Sequence, residues 1–118
     1  MFRLRVESRF DAAHKLEGYK GKCSKLHGHS WKVEIYVIGL QTDEIGILKD
    51  YGILKENLQK IIVKLDHSYL NDFPEIGNPT SENISKYIFK NLTHDLKDVK
   101  LEKVRIWENM ENWCEYFE

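Results

Sequence analysis

The chain has 118 residues, 31% of them charged, and a formal net charge of −1 at pH 7. This length predicts one domain, residues 1–118, that buries roughly 65% of the surface its unfolded chain exposes. The balanced charge disfavours a nucleic-acid binder that works through a basic surface. No apolar run approaches the roughly 20 residues of a membrane span.

The two cysteines, Cys23 and Cys114, lack the spacing of a disulfide framework, which favours a reducing compartment. The N-terminal residues lack the apolar core of a signal peptide. We therefore expect a cytoplasmic protein without a membrane or nucleic-acid partner.

Two strands open the chain. Residues 2–10 alternate apolar with polar or charged side chains, which predicts a strand with one wet face. Residues 15–25 are rich in glycine and lysine and predict a loop. Residues 29–39 alternate again and predict a second strand, which we expect to pair with the first as an antiparallel hairpin.

His14, His27 and His29 are candidate metal ligands. Side chains two apart in a strand point the same way, so His27 and His29 could present two imidazoles on one side. The predicted hairpin would bring His14 to them. Three neutral histidines with one open position are typical of catalytic zinc, whereas Cys23 as a fourth ligand would close a structural site.

The remaining segments complete the order ββααββ. They are a helix capped by Asp50 and ending at Leu65, a segment rich in helix breakers at 68–79, a helix capped by Thr80 or Ser81, and strands at 99–110 and 112–118. This order predicts an α+β fold with a four-stranded antiparallel sheet and two helices on one face. The other face carries large apolar and aromatic side chains, so we expect subunits to associate through their sheets.

Cys23 has two further interpretations besides that of a ligand. It could be a thiolate base or nucleophile, its pKa lowered by a nearby metal and by Lys22 and Lys25, or it could be a loop cysteine without a role. Asp66 could orient His67 if the helix ends there. A histidine at a helix C-terminus is equally favoured by the helix dipole alone.

Glu108 shares a strand face with Val104 and Ile106, where an unpaired carboxylate is costly. It could accept two parallel N–H bonds from a ligand, such as a pterin or guanine edge. It could also pair with a basic neighbour, or mark the fraying end of the strand.

Five motifs span nearly the whole chain: FDAAH at 10–14, CSKLHGH at 23–29, LDH at 65–67, PTSEN at 79–83, and Glu108. Together they resemble the 6-pyruvoyltetrahydropterin synthase / 6-carboxytetrahydropterin synthase family. The resemblance implies the tunnelling fold, in which subunits assemble into a barrel. The implied assembly is a homohexamer of two trimers, with active sites between subunits.

The resemblance implies that His14, His27 and His29 are the zinc ligands. It implies that Cys23 is the catalytic base, with its partners in proton transfer reaching a neighbouring subunit's site.

Those implied partners are Asp66 and His67. The resemblance also implies that Glu108 is the pterin anchor and that Thr80, Ser81 and Glu82 line the pterin pocket. One departure follows the anchor, because Asn109 stands where the family often has threonine.

The three residues between Cys23 and His27 resemble the spacing in bacterial 6-carboxytetrahydropterin synthases of the queuosine pathway. The implied reaction converts 7,8-dihydroneopterin triphosphate to 6-carboxy-5,6,7,8-tetrahydropterin, acetaldehyde and triphosphate. Lysines or arginines around the loop, such as Lys22 or Lys25, could hold the triphosphate. The alternatives within the family are pyruvoyltetrahydropterin synthesis and folate-pathway side-chain cleavage. The alternative outside it is a non-catalytic, zinc-stabilised binding module.

Overall fold

The computed structural model describes residues 1–21, 24–94 and 96–118. The roles predicted for Cys23 and Lys22 therefore lie outside the described residues. The elements in chain order are β1 (Phe2–His14), β2 (His27–Gly39), α1 (Tyr51–Leu65), β3 (Ser68–Tyr69), a short 3₁₀ helix (Leu70–Asp72), α2 (Ser81–Leu92), β4 (Lys100–Trp107) and β5 (Trp113–Phe117).

The strands form one five-stranded sheet in the order β3-β1-β2-β4-β5. The α+β class and the antiparallel pairing of β1, β2, β4 and β5 are confirmed. The prediction of four strands was wrong by one, because β3 pairs in parallel with β1 through Ala12 and Ala13. Only two residues pair there, in a segment that breaker residues had marked as a loop, and a pairing so distant in sequence leaves no local pattern.

Both helices pack on one face of the sheet. That face is made of alternate strand residues, such as Val6 and Phe10 of β1 and Trp31 and Val33 of β2, all buried in the core with the apolar stripes of α1 and α2. The burial of these stripes is what places the two helix termini that flank the site described below.

The helix starts are capped by side chains. Asp50 accepts hydrogen bonds from the backbone N–H groups of Gly52 and Ile53 at the start of α1. Thr80 accepts one from the backbone N–H of Asn83 at the start of α2. Of the two predicted caps, Thr80 and Ser81, the threonine is therefore the cap. Among the described residues, no helix combines the length and apolar character needed to cross a membrane.

The opposite face of the sheet is covered by its own charged side chains. Glu34 is only 3% exposed there and accepts hydrogen bonds from Arg5, Tyr36 and the indole N–H of Trp107. We call this side of the sheet the polar face. This face depends less on burial by another subunit than the sequence suggested, because its buried charge is paired and hydrogen-bonded.

Candidate metal centre and adjoining cavities

The end of β1 and the start of β2 bring three histidines together. His14 lies opposite His27 in the antiparallel register, and Ala12 lies opposite His29. The ring centroids are 4.5 Å apart for His14 and His27, 4.7 Å for His27 and His29, and 5.2 Å for His14 and His29. Strand alternation and hairpin pairing are thus enough to make three imidazoles converge.

Two backbone carbonyls fix which nitrogen of each ring is protonated. His14 Nδ1 lies 2.8 Å from the carbonyl oxygen of Pro79, and His27 Nδ1 lies 2.6 Å from that of Lys25. A carbonyl can only accept, so each Nδ1 is the donor and each Nε2 of the neutral ring keeps a free lone pair. These two Nε2 atoms are 3.0 Å apart.

Glu108 lies next to the three rings, directly after β4. Its Oε1 is 2.9 Å from His29 Nε2 and 3.8 Å from His14 Nε2. His29 Nε2 is shielded from solvent and lacks a hydrogen bond of good geometry among the described residues, despite that short distance. The ligand atoms of all four side chains lie within 4.8 Å of one another.

Burial affects the protonation of two of the histidines. It lowers the pKa of His14, although the Pro79 carbonyl acts in the opposite direction. Burial also lowers the pKa of His29, against the opposing influence of the Glu108 carboxylate. Both shifts favour the neutral imidazole, which is the form that binds a metal.

The cluster fits a zinc ion by its donors and its dimensions. Zinc binds histidine nitrogen at about 2.0–2.1 Å, so two tetrahedral ligands lie roughly 3.3 Å apart, close to the 3.0 Å between His14 and His27. Carbonyl acceptors on the far ring nitrogens are the usual support for metal-bound histidines. The shielded His29 Nε2 supplies a third donor atom in need of a partner.

Asp66 and His67 meet where the chain leaves α1. His67 has a φ of 56°, in the left-handed region, and its N–H donates to the carbonyl of Asp11 at 2.7 Å. Asp66 accepts a hydrogen bond from the N–H of Asp11 at 2.9 Å and lies 3.0 Å from His67 Nδ1. The helix therefore ends as the pairing of these two side chains requires.

In this pair the Asp66 carboxylate is held in its charged form, and the His67 ring is accessible to solvent. The backbone N–H of Asp11 is the main cause of the lowered pKa of Asp66, and His67 adds to it. The His67 side chain is 82% exposed, and it lines a depression of about 420 Å³ together with His29. Sequence reasoning missed Asp11, although it stands inside the FDAAH motif.

The start of α2 contributes unequally to the site. Ser81 Oγ lies 3.4 Å from Glu108 Oε2, so its hydroxyl can orient that carboxylate. The hydroxyl of Thr80 is engaged by the helix cap. Glu82 is exposed, and no described contact joins its carboxylate to the cluster.

Asn109 organises the turn after Glu108. Its side-chain oxygen accepts hydrogen bonds from the backbone N–H groups of Glu111 and Asn112, both at 2.8 Å. The Asn109 side chain therefore closes the turn between β4 and β5, directly after Glu108.

A second and larger cavity adjoins the histidines. It has a volume of about 620 Å³, and its lining includes His29 and Glu108 at one end and Arg9, Lys32 and Trp107 on the polar face. It opens because β4 ends at Trp107 opposite Lys32, so no strand of residues 1–21, 24–94 or 96–118 pairs with the start of β2 on that side. Sequence reasoning missed Arg9, Lys32 and Trp107, since nothing in strand alternation marks which polar-face residues adjoin a site.

The chain matches the family model described as 6-pyruvoyl tetrahydropterin synthase over residues 3–118. A Synechocystis relative named 6-carboxy-5,6,7,8-tetrahydropterin synthase is 37% identical over 122 residues, covering 99% of this chain and 94% of the relative. A Dictyostelium discoideum relative named 6-pyruvoyl tetrahydrobiopterin synthase is 36% identical over 121 residues, covering 91% and 89%. The solved structure of Caenorhabditis elegans 6-pyruvoyl tetrahydropterin synthase matches with a TM-score of 0.87 at 25% identity, covering 99% of this chain and 95% of that one.

Proposed function

The chain belongs to the 6-pyruvoyl tetrahydropterin synthase family of pterin lyases, and we propose that it is a zinc-dependent 6-carboxytetrahydropterin synthase. In this proposal it converts 7,8-dihydroneopterin triphosphate to 6-carboxy-5,6,7,8-tetrahydropterin, acetaldehyde and triphosphate, in the cytoplasm and on the queuosine pathway. The observation that carries the proposal is the convergence of His14, His27 and His29 with their free nitrogens toward one point.

His14, His27 and His29 hold the zinc ion in this account. The ion would supply a Lewis acid that polarises the oxygens of the substrate side chain. The carbonyls of Pro79 and Lys25 accept from Nδ1 of His14 and His27, which turns the Nε2 of each ring toward the ion.

Proton transfer falls to side chains around this centre. Cys23, four residues before His27 in the chain, takes the role of base through the family resemblance. His67 gives or relays a proton, and Asp66, whose lowered pKa keeps it charged, stabilises the imidazolium form of His67. The exposure of the His67 ring suits a group that serves a site completed by another subunit.

Glu108 takes the role of pterin anchor. A carboxylate can accept two parallel N–H bonds from the pterin edge, and such charge-assisted pairs are stronger than neutral ones. Ser81 steadies the other carboxylate oxygen. Thr80 and Glu82 are proposed to line the same pocket. Thr80 caps α2 and so holds the start of that helix at the pocket.

The assembly proposed is a homohexamer of two trimers. Within the described part of the chain, β1 has no strand partner on its outer edge beyond the two residues paired with β3, and β5 has none on its outer edge at the opposite side of the sheet. Phe2 and Phe117, near the ends of these strands, are 51% and 65% exposed. Pairing of β1 with a neighbour's β5 would satisfy the unpaired backbone hydrogen-bonding groups of both edge strands. Light scattering during size-exclusion chromatography measures the mass of the resulting assembly.

The competing product is 6-pyruvoyltetrahydropterin, which the similarity to the Dictyostelium relative favours. The three-residue gap between Cys23 and His27 favours the carboxylated product instead. Incubation with 7,8-dihydroneopterin triphosphate followed by chromatography and mass spectrometry of the pterins separates them. Acetaldehyde with a carboxylated pterin supports the proposal; a pyruvoyl- or hydroxymethylpterin overturns it.

A further inference from the structure

Arg9 and Lys32 face each other across the first two strands. They are direct partners in the antiparallel register, and both line the cavity of about 620 Å³ that His29 and Glu108 also line. A volume of that size is typical of small-molecule sites. The two cations thus share one space with the proposed metal centre and pterin anchor.

Other basic side chains of the polar face are neutralised by carboxylates. Arg3 lies 2.8 Å from Glu102, Lys103 lies 3.0 Å from Glu115, and Arg105 lies 2.6 Å from Glu115.

Arg5 is paired in the same way with Glu34 and Glu7. Because each of these cations already has its counter-charge, a ligand anion would gain little from them.

Arg9 and Lys32 differ from those neighbours. The nearest carboxylate oxygen to Arg9 among the described residues belongs to Glu7, at 3.9 Å, and that residue is already bound by Arg5 at 2.8 Å. Within the part of the chain that the structure describes, no carboxylate lies within 4.0 Å of Lys32. Arg9 thus shares its counter-charge with Arg5 and Lys32 has none among the described residues, so these two adjacent cations attract an anion.

Trp107 gives Lys32 a fixed position. The Lys32 ammonium lies 4.9 Å from the centroid of the Trp107 ring, and the indole N–H donates to the buried carboxylate of Glu34. The Trp107 ring therefore forms a fixed wall of the cavity. The Lys32 ammonium that packs against it loses little conformational entropy when it binds a ligand.

We infer that Arg9 and Lys32 bind the triphosphate group of the substrate. The inference rests on the proposed function and deepens it by naming a phosphate subsite. His29 and Lys32 are three positions apart on β2, which is about 10 Å along the strand. Their side chains point to opposite faces of β2, and the cavity that both line lies at the edge of β2 where β4 ends at Trp107. A substrate with its pterin edge at Glu108 and its side-chain oxygens at the histidines would extend its phosphates around this edge toward these cations.

The direct test is the binding of inorganic triphosphate to the zinc-loaded protein, measured by titration calorimetry. Arg9→Gln and Lys32→Gln should each weaken binding about 10-fold, and the double variant about 100-fold, since a charge-assisted contact contributes roughly that factor. Arg3→Gln is the matched control, because it removes the same charge from the same face and strand about 20 Å away. It should change binding less than 2-fold.

Equal binding by the double variant and the unaltered protein overturns the inference. So does a loss in Arg3→Gln as large as that in Arg9→Gln, which would mean that only net charge matters. Zinc content and affinity for unphosphorylated dihydroneopterin should stay unchanged in all four variants. Because this titration needs no turnover, triphosphate binding that depends on Arg9 and Lys32 upholds the subsite even if the protein fails to form the proposed product.

Discussion

His14 Nε2 and His27 Nε2 face each other at 3.0 Å, and each ring already donates its Nδ1 proton to a backbone carbonyl. Two lone pairs at that distance repel unless a cation or a shared proton lies between them. The arrangement is stable when a metal takes that place, since metal binding then contributes to the stability of the folded state.

The first prediction concerns this pair of rings. His27→Ala should lower zinc affinity at least 100-fold and abolish turnover, because it removes one of three nitrogen donors. Competition with a chromogenic chelator measures the affinity. The matched control is His94→Ala, an exposed histidine outside the cluster, and it should keep both zinc and activity. Unaltered zinc affinity in His27→Ala would remove this residue from the ligand set.

The second prediction separates an enzyme from a zinc-stabilised binding module. Cys23→Ala should retain zinc and lose at least 100-fold in kcat, because a general base contributes about 10²–10⁴ to rate. Cys114→Ala is the control: this thiol is half-buried on β5 beside Ser85, where burial raises its pKa, and activity should persist. A zinc-free Cys23→Ala protein would show that Cys23 is a ligand.

The third prediction assigns Glu108. Glu108→Ala should raise KM for the pterin substrate about 10- to 100-fold while the unfolding midpoint changes little, because a charged, bidentate contact is lost from a partly exposed site. Steady-state kinetics and thermal unfolding measure the two effects. Glu111→Ala, in the adjacent turn, is the control. An unchanged KM in Glu108→Ala would exclude Glu108 from the pterin pocket.

The fourth prediction is a pH dependence of stability that arises from Glu34. Burial alone would raise the pKa of this carboxyl, but hydrogen bonds from Trp107, Arg5 and Tyr36 together lower it below its ordinary 4.5. A lowered folded-state pKa means that the unfolded chain binds more protons in acid. The stabilisation is therefore present above pH 4.5 and is lost as the pH falls through the folded-state value.

Glu34→Gln tests this dependence. At pH 7 the variant should unfold with a free energy about 1–2 kcal/mol lower than the unaltered protein, a modest cost because Arg5 is partly exposed to solvent. The difference should shrink as the pH falls below 4.5. Urea unfolding at one fixed protein concentration measures it, since assembly also affects stability. A difference that grows in acid would contradict the assignment.

Strand alternation was sufficient to predict much of this molecule. The period-2 pattern of residues 2–10 and 29–39 gave the two strands that become β1 and β2, and their antiparallel pairing placed His14 beside His27. The helix caps at Asp50 and Thr80 could be predicted because a capping side chain accepts hydrogen bonds from backbone N–H groups only two or three residues further along the chain. These features depend on neighbours in sequence.

The features that escaped prediction depend on contacts between distant segments. β3 forms only because Ser68 and Tyr69 meet the end of β1. The carbonyls of Pro79 and Lys25, which set the histidine tautomers, have no side-chain signature. The left-handed backbone of His67 follows from its bond to Asp11, 56 residues away in the chain.

Turnover in the proposed reaction depends on a metal held by three histidines. The most direct measurement strips the protein with a chelator, returns zinc in steps, and follows acetaldehyde release from dihydroneopterin triphosphate on the same sample. The stripped protein should release no acetaldehyde. The rate of release should then rise linearly with added zinc and stop rising at one zinc per chain. Full acetaldehyde release by protein shown to be free of metal would contradict it.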